Sequence, residues 1–127
     1  MRGRLSRPLQ AGILILTLLE YHIVAACLTI SPDKVDFGSD AVNSSGPSAT
    51  ITLSNGTGTT IQLNEIISSG IDFRASNDCD DALAPGARCS IQVQFKPVIS
   101  GERMGIVEIL ASDSPTPYFV SLTGTGR

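Results

Sequence analysis

Asn77 to Pro97 reads NDCDDALAPGARCSIQVQFKP, with two cysteines ten residues apart around a Pro-Gly pair. The segment runs straight into an alternation of Cys89, Ile91, Val93 and Phe95 with Ser90, Gln92 and Gln94. Successive side chains of a strand point to opposite faces, so this pattern predicts a strand with one buried and one wetted face. Pro85-Gly86 suits the central positions of a type II turn, because the proline ring presets a negative φ and glycine accepts a positive one. Such a turn brings Cys79 and Cys89 onto the two arms of a reversal.

The same period-2 pattern extends outward from this stretch. Leu28 to Ser31 and Val35 to Phe37 flank Pro32. Ala49, Ile51 and Leu53 alternate with Thr50, Thr52 and Ser54, and the turn Asn55-Gly56-Thr57-Gly58 separates them from Ile61 and Leu63. A short Ile71 to Ala75 segment follows Ser68-Ser69-Gly70, and beyond the cysteine stretch come Met104 to Ala111 and Tyr118 to Thr123. Asp113-Ser114-Pro115-Thr116-Pro117 stops one strand and starts a connection. About seven short strands at roughly 10-residue spacing predict an all-β fold, an immunoglobulin-like antiparallel β-sandwich preceded by an N-terminal signal segment. Its predicted core is Ile51, Leu53, Ile61, Leu63, Phe73, Ile91, Val93, Phe95, Val107, Ile109, Val120 and Leu122. In this register Ile106 and Leu110 face outward, as an apolar interaction patch, unless a local bulge turns them in.

The N-terminus has a different character. MRGRLSRPLQ carries Arg2, Arg4 and Arg7 with no acid and leads into the apolar run AGILILTLL, which Glu20 and His22 interrupt. A basic segment, an apolar stretch of roughly 7 to 15 residues and small residues at a cut site make a secretory signal. A spanning helix requires about 20 apolar residues. The expected organisation is therefore a signal peptide at 1–26, of lipoprotein or ordinary type, and a single sandwich domain at 27–127. Val24-Ala25-Ala26-Cys27 fits an ordinary signal peptidase and also a bacterial lipobox, both cutting before Cys27. In the second reading Cys27 is the lipidation point and tethers the chain by acyl chains. In a third it merely lies near the cut.

Loss of residues 1–26 removes three Arg, Glu20 and the sole His, leaving six basic and eleven acidic residues and a net charge of −5. Polyanion binding depends on clustered Lys and Arg that displace counterions, and here the basic residues are scattered, so nucleic acid is excluded as a partner. A membrane role runs only through the signal segment or a lipidated Cys27. The expected location is extracytoplasmic: periplasm, cell surface or medium of a bacterial envelope.

An oxidising location bears on Cys79 and Cys89. Two cysteines on the arms of a reversal in an exported chain are expected to form a disulfide, worth about 2 to 3 kcal/mol for so short a loop. A chain of this size buries only about two thirds of its unfolded surface, so that is a large contribution. The alternatives lack ligands: structural zinc uses four Cys or His, and the mature chain offers at most three cysteines and no His. Asp78, Asp80 and Asp81 could offer oxygens to calcium, but acids in a loop are ordinarily solvated. No C-x-x-C motif, GxSxG elbow, phosphate loop or HExxH helix is present, so neither catalytic residue, metal nor cofactor is expected. Asn43-Ser44-Ser45 and Asn55-Gly56-Thr57 match the glycosylation pattern, as a Ser- and Thr-rich chain often does by chance.

Four successive stretches carry a family resemblance: LTISPDKVDFG, SATITLSNGTGTTIQL, IDFRASNDCDDALAPGARCSIQVQFKP and GERMGIVEILASDSPTPYFVSLTGTG. They resemble the bacterial choice-of-anchor D repeat, which is akin to the ASH (ASPM and Hydin) immunoglobulin-like domains and more distantly to major sperm protein and PapD-like sandwiches. The SP-x-x-VDFG opening, the C-x-x-x-LAPG-x-x-C-x-I-x-V-x-F-x-P block and the closing SL-x-GTG are its most specific parts. The resemblance implies a structural or adhesive, protein-binding module without catalytic residues. This chain carries one copy. Its distant PapD likeness implies an alternative, a periplasmic chaperone-like carrier of extended peptides, which needs a basic anchor for a carboxylate, and the scattered Lys96 and Arg103 give that anchor little support.

Overall fold

A computed structural model describes residues 27–127; the expected signal segment and its boundary lie outside the described residues. Nine strands follow in order: β1 (Leu28–Ser31), β2 (Lys34–Asp40), β3 (Ala49–Asn55), β4 (Ile61–Ser69), β5 (Phe73–Asn77), β6 (Ala82–Leu83), β7 (Arg88–Phe95), β8 (Gly101–Ala111) and β9 (Tyr118–Gly126). They form two sheets, one in the order β1-β3-β7-β5 and one in the order β2-β9-β8-β4-β6. No helix among the described residues is long and apolar enough to cross a membrane.

The expected sandwich is there, and its two sheets close over one core. All twelve predicted core residues are buried, joined by Leu28, Leu83, Cys89 and Ala111. Pairing puts like with like: Ile51 lies opposite Ile91, Leu53 opposite Cys89 and Phe73 opposite Phe95 in the four-stranded sheet, and Val107 opposite Val120 in the other. Burial of side chains of this size contributes about 1.5 to 3 kcal/mol each, so the period-2 pattern in the sequence is the main source of stability.

Three details differ from the sequence reading. There are nine strands rather than about seven: the two stretches on either side of Pro32 are separate strands in different sheets, β1 and β2, and the two-residue β6 has no periodicity to reveal it. One pairing is parallel, β2 with β9, whereas every other pair is antiparallel. Finally, Ile71 and Asp72 belong to the turn before β5, where Ile71 is 79% exposed. A bulge does occur, but on β4 between Leu63 and Glu65, not on β8. One extra residue there shifts the alternation, so Ile66, opposite Ile109, continues the inner face that Ile61 and Leu63 begin.

At one end of the core three aromatic rings meet. Phe73 and Phe95 stack with centroids 5.0 Å apart, and Phe37 lies 5.8 and 5.6 Å from them. Gly105 on β8 and Gly124 on β9 make room for this cluster. A Cβ on Gly124 would fall 2.5 Å from the Phe95 ring, and one on Gly105 would fall 2.6 Å from Phe73. These glycines let backbone lie directly on aromatic faces.

The opening stretch also resolves. From β5 the chain crosses to the other sheet, pairs Ala82 and Leu83 with Gln62 and Ile61, and returns to β7 beside the strand it left. The return is the expected turn: Ala87 N–H donates to Ala84 O at 2.9 Å and Gly86 has φ +80°. Cys79 and Cys89 are joined by a disulfide across the base of this excursion. Asn55 pins its far side. Fully buried, it donates through Nδ2 to Leu83 O and Thr59 O, both at 2.8 Å, while its Oδ1 accepts from Thr57 N at 2.9 Å.

Candidate functional site

The outer face of the five-stranded sheet is built by the side chains that the core leaves out. On β8 the inward residues are Gly105, Val107, Ile109 and Ala111, so Met104, Ile106, Glu108 and Leu110 point the other way. Ile106 is 36% exposed and Leu110 half-buried, as the outward register predicts. Sequence periodicity singles out only these two. The register adds Phe119 of β9 and half-buried Ile67 of β4, which lie on either side of Glu108. Diagonal neighbours across a sheet lie about 7 to 8 Å apart. Met104, Ile106, Leu110, Ile67 and Phe119 thus form an apolar strip, broken by Glu108 between Ile67 and Phe119 and bordered by Glu65 opposite Leu110, with Met104 71% and Phe119 54% exposed. Past Leu110 the face runs into an open cavity of about 290 Å³, lined also by Asn64, Ala111, Pro115 and Pro117.

An open backbone edge adjoins this face. β4 pairs with β8 along its length, but its other side meets β6 only at Ile61 and Gln62. Among the described residues, no strand lies beside that side from Glu65 to Ser69. β5, at the border of the other sheet, is likewise paired on one side only. Unpaired strand edges present rows of N–H and C=O groups that a further strand can join.

Arg103 and Lys96, the basic residues of the carrier reading, sit at the other end of β8 and β7. Lys96 is exposed. Arg103 Nε donates to Asp72 Oδ2 at 2.9 Å, and Val98 N donates to Asp72 Oδ1 at 2.8 Å. Asp72 is only 3% exposed. Its burial pushes the carboxyl pKa up, but the Val98 N–H and the Arg103 guanidinium outweigh that and hold it below the ordinary value of 3.8. The pair locks the turn before β5 to the start of β8. Arg103 is therefore committed to an internal partner, a role not legible in the sequence because its two members are 31 residues apart.

The remaining predicted positions divide clearly. Asp78, Cys79 and Cys89 lie close together, but the sulfurs are bonded to each other and Asp78 accepts from Ser90 N at 2.7 Å, so no thiolate is free for a metal. Asp80 and Asp81 are exposed. Asn55 spends its amide inside the fold, whereas Asn43 is exposed with φ +67°. Cys27 is exposed and free, beside Tyr118 and Asp113. Burial first, then the hydrogen bond and charge of Asp113, keep the Tyr118 phenol protonated far above its usual range.

No family model and no curated protein matches the chain. Solved structures do match it. The ASH/PapD-like domain 7 of human CEP192 superposes with a TM-score of 0.60 at 13% identity, covering 98% of this chain and 94% of that domain. SSP-19, an MSP-domain protein-like family member from Caenorhabditis elegans, gives 0.54 at 15% identity over 76% and 98%. The secreted serine protease VesC from Vibrio cholerae gives 0.62 at 19% identity; 78% of this chain is covered but only 23% of the protease, so the likeness is to one part of a longer protein. At such identities the likeness speaks to fold. The described chain has the immunoglobulin-like sandwich fold shared by ASH, PapD-like and MSP-like domains.

Proposed function

We propose that the domain is a non-catalytic, extracytoplasmic protein-binding module of structural or adhesive type that receives an extended segment of a partner protein at the open edge of β4. The observation that carries this reading is the juxtaposition of that edge with the apolar outer face of β8 and β9. Backbone groups at Glu65 to Ser69 supply hydrogen bonds and Ile67 the neighbouring apolar side chain, while Ile106 and Phe119, one and two strands further into the sheet, offer apolar contact to the rest of the partner. The disulfide supports an oxidising compartment. A lipid on Cys27 would hold the same module at a membrane face.

The chaperone-like carrier is the alternative. Its support is the PapD-like fold, but the anchor it requires is weakened, since Arg103 already neutralises buried Asp72.

A display screen of extended peptides against the disulfide-bonded protein tests both readings. We expect peptides with alternating apolar residues to bind irrespective of a free C-terminus, to perturb amide signals along β4 and β8, and to lose at least tenfold in affinity, about 1.4 kcal/mol, on Ile106→Glu. Binding that requires a free carboxylate and disappears in Arg103→Ala would establish the carrier instead. Absence of any binder would leave a plain structural spacer.

A further inference from the structure

Asp113 lies just past β8, in the connection to β9, and its two oxygens are treated differently. Oδ2 accepts from Leu28 N at 2.8 Å and from the Tyr118 hydroxyl at 2.7 Å. Oδ1 is buried and has no hydrogen-bond partner among the described residues. Nor does a cation face it: the one ion pair among the described residues joins Arg103 to Asp72. The groups around Asp113 are the Tyr118 phenol from β9, the Leu28 amide from β1 and, near Tyr118, the Cys27 thiol. A half-buried carboxylate with one oxygen shut away from water and lacking a donor is an incomplete site.

The missing donor is within covalent reach. Bond lengths hold the Cys27 nitrogen within about 3.7 Å of the Leu28 nitrogen, which already bonds Oδ2. Joined to Ala26, that nitrogen is a planar amide with one N–H and no charge, and it does not satisfy Oδ1. Set free, it becomes a tetrahedral ammonium with three donors and a positive charge, able to turn about the Cys27 Cα–C bond.

We propose that Asp113 is the receptor for the processed amino terminus of this chain. An endopeptidase of the signal-cleaving class adds water across the Ala26–Cys27 peptide bond; Ala26 departs as a carboxylate and Cys27 gains the proton that completes its ammonium. That ammonium bonds Oδ1, while Leu28 N and the Tyr118 hydroxyl retain Oδ2. The edge strand β1 is thereby tied to the far sheet at its first residue, and cleavage one residue earlier or later would misplace the charge.

The test uses the full chain expressed in an exporting bacterial host. Intact mass of the processed protein identifies its first residue, and acylation by an N-hydroxysuccinimide ester at pH 7, followed at the N-terminal peptide, reports the free-amine fraction. An α-amino group has a pKa of about 7.7 to 8.0, and a carboxylate in contact raises it by about one unit. A chain starting at Cys27 should thus label about tenfold more slowly than its Asp113→Asn variant. Should that variant fail to accumulate, the wild-type protein in urea takes its place as the fast reference, and Tyr118→Phe, which keeps the carboxylate, should label slowly. A first residue other than Cys27, an α-nitrogen already carrying an acyl group, or equal labelling rates overturns the proposal.

Discussion

The two faces of β8 are both apolar, yet they do opposite things. Val107 and Ile109 are wholly buried, whereas Met104 and Ile106 on the same strand are 71% and 36% exposed. Hydrophobicity alone does not rank them. What separates them is the four-stranded sheet across the sandwich, which fills one face with side chains and leaves the other as a surface. This exposed apolar set next to an unpaired edge is what the proposed contact surface rests on.

Perturbing the inner face should have the largest effect. Ile109→Ala removes buried methyl groups from a closed core and is expected to cost about 2 to 5 kcal/mol, read from the urea midpoint at unchanged slope. Next comes the staple: reduction of Cys79–Cys89 should lower stability by about 2 to 3 kcal/mol, and a melting curve indifferent to reductant would remove the disulfide from the list of stabilising features. The internal lock ranks third. Asp72→Asn should cost about 1 to 3 kcal/mol at pH 7, because it weakens charge-assisted bonds to Val98 and Arg103. Its pH dependence has a definite sign. The folded carboxyl pKa is lowered, so this stabilisation is present above the ordinary value of 3.8 and fades as pH falls through the folded value; the gap between wild type and Asp72→Asn should close in that acid range. The smallest stability effect belongs to the outer face. Ile106→Ser should change stability by no more than about 0.5 kcal/mol, and a core-sized loss would mean that both faces of β8 are structural.

Which parts of this were legible beforehand follows from the range of the interactions. The twelve core residues declared themselves through local alternation, and Pro85-Gly86 declared its turn through local backbone preference. Leu83 did not, because β6 is too short to show a period. Asn55 and Asp72 did not, because a buried polar residue is stabilised by partners distant in the chain: Leu83 O for one, Val98 N and Arg103 for the other. Ile71 misled for the converse reason. Its apolar side chain next to an alternating run suggests a strand, but the turn closed by Phe73 N and Gly70 O at 3.0 Å turns it out to solvent.

By itself, then, the sequence determined the all-β class, the inward face of most strands and the two cysteines able to bridge, since periodicity and turn chemistry act over a few residues. Only the tertiary structure decided that β2 runs parallel to β9, that the cysteine stretch visits the opposite sheet, that Arg103 is occupied and that Asp113 Oδ1 is buried with no partner among the described residues. Each of those depends on which distant segments meet when the two sheets close, and local pattern carries no information about that meeting.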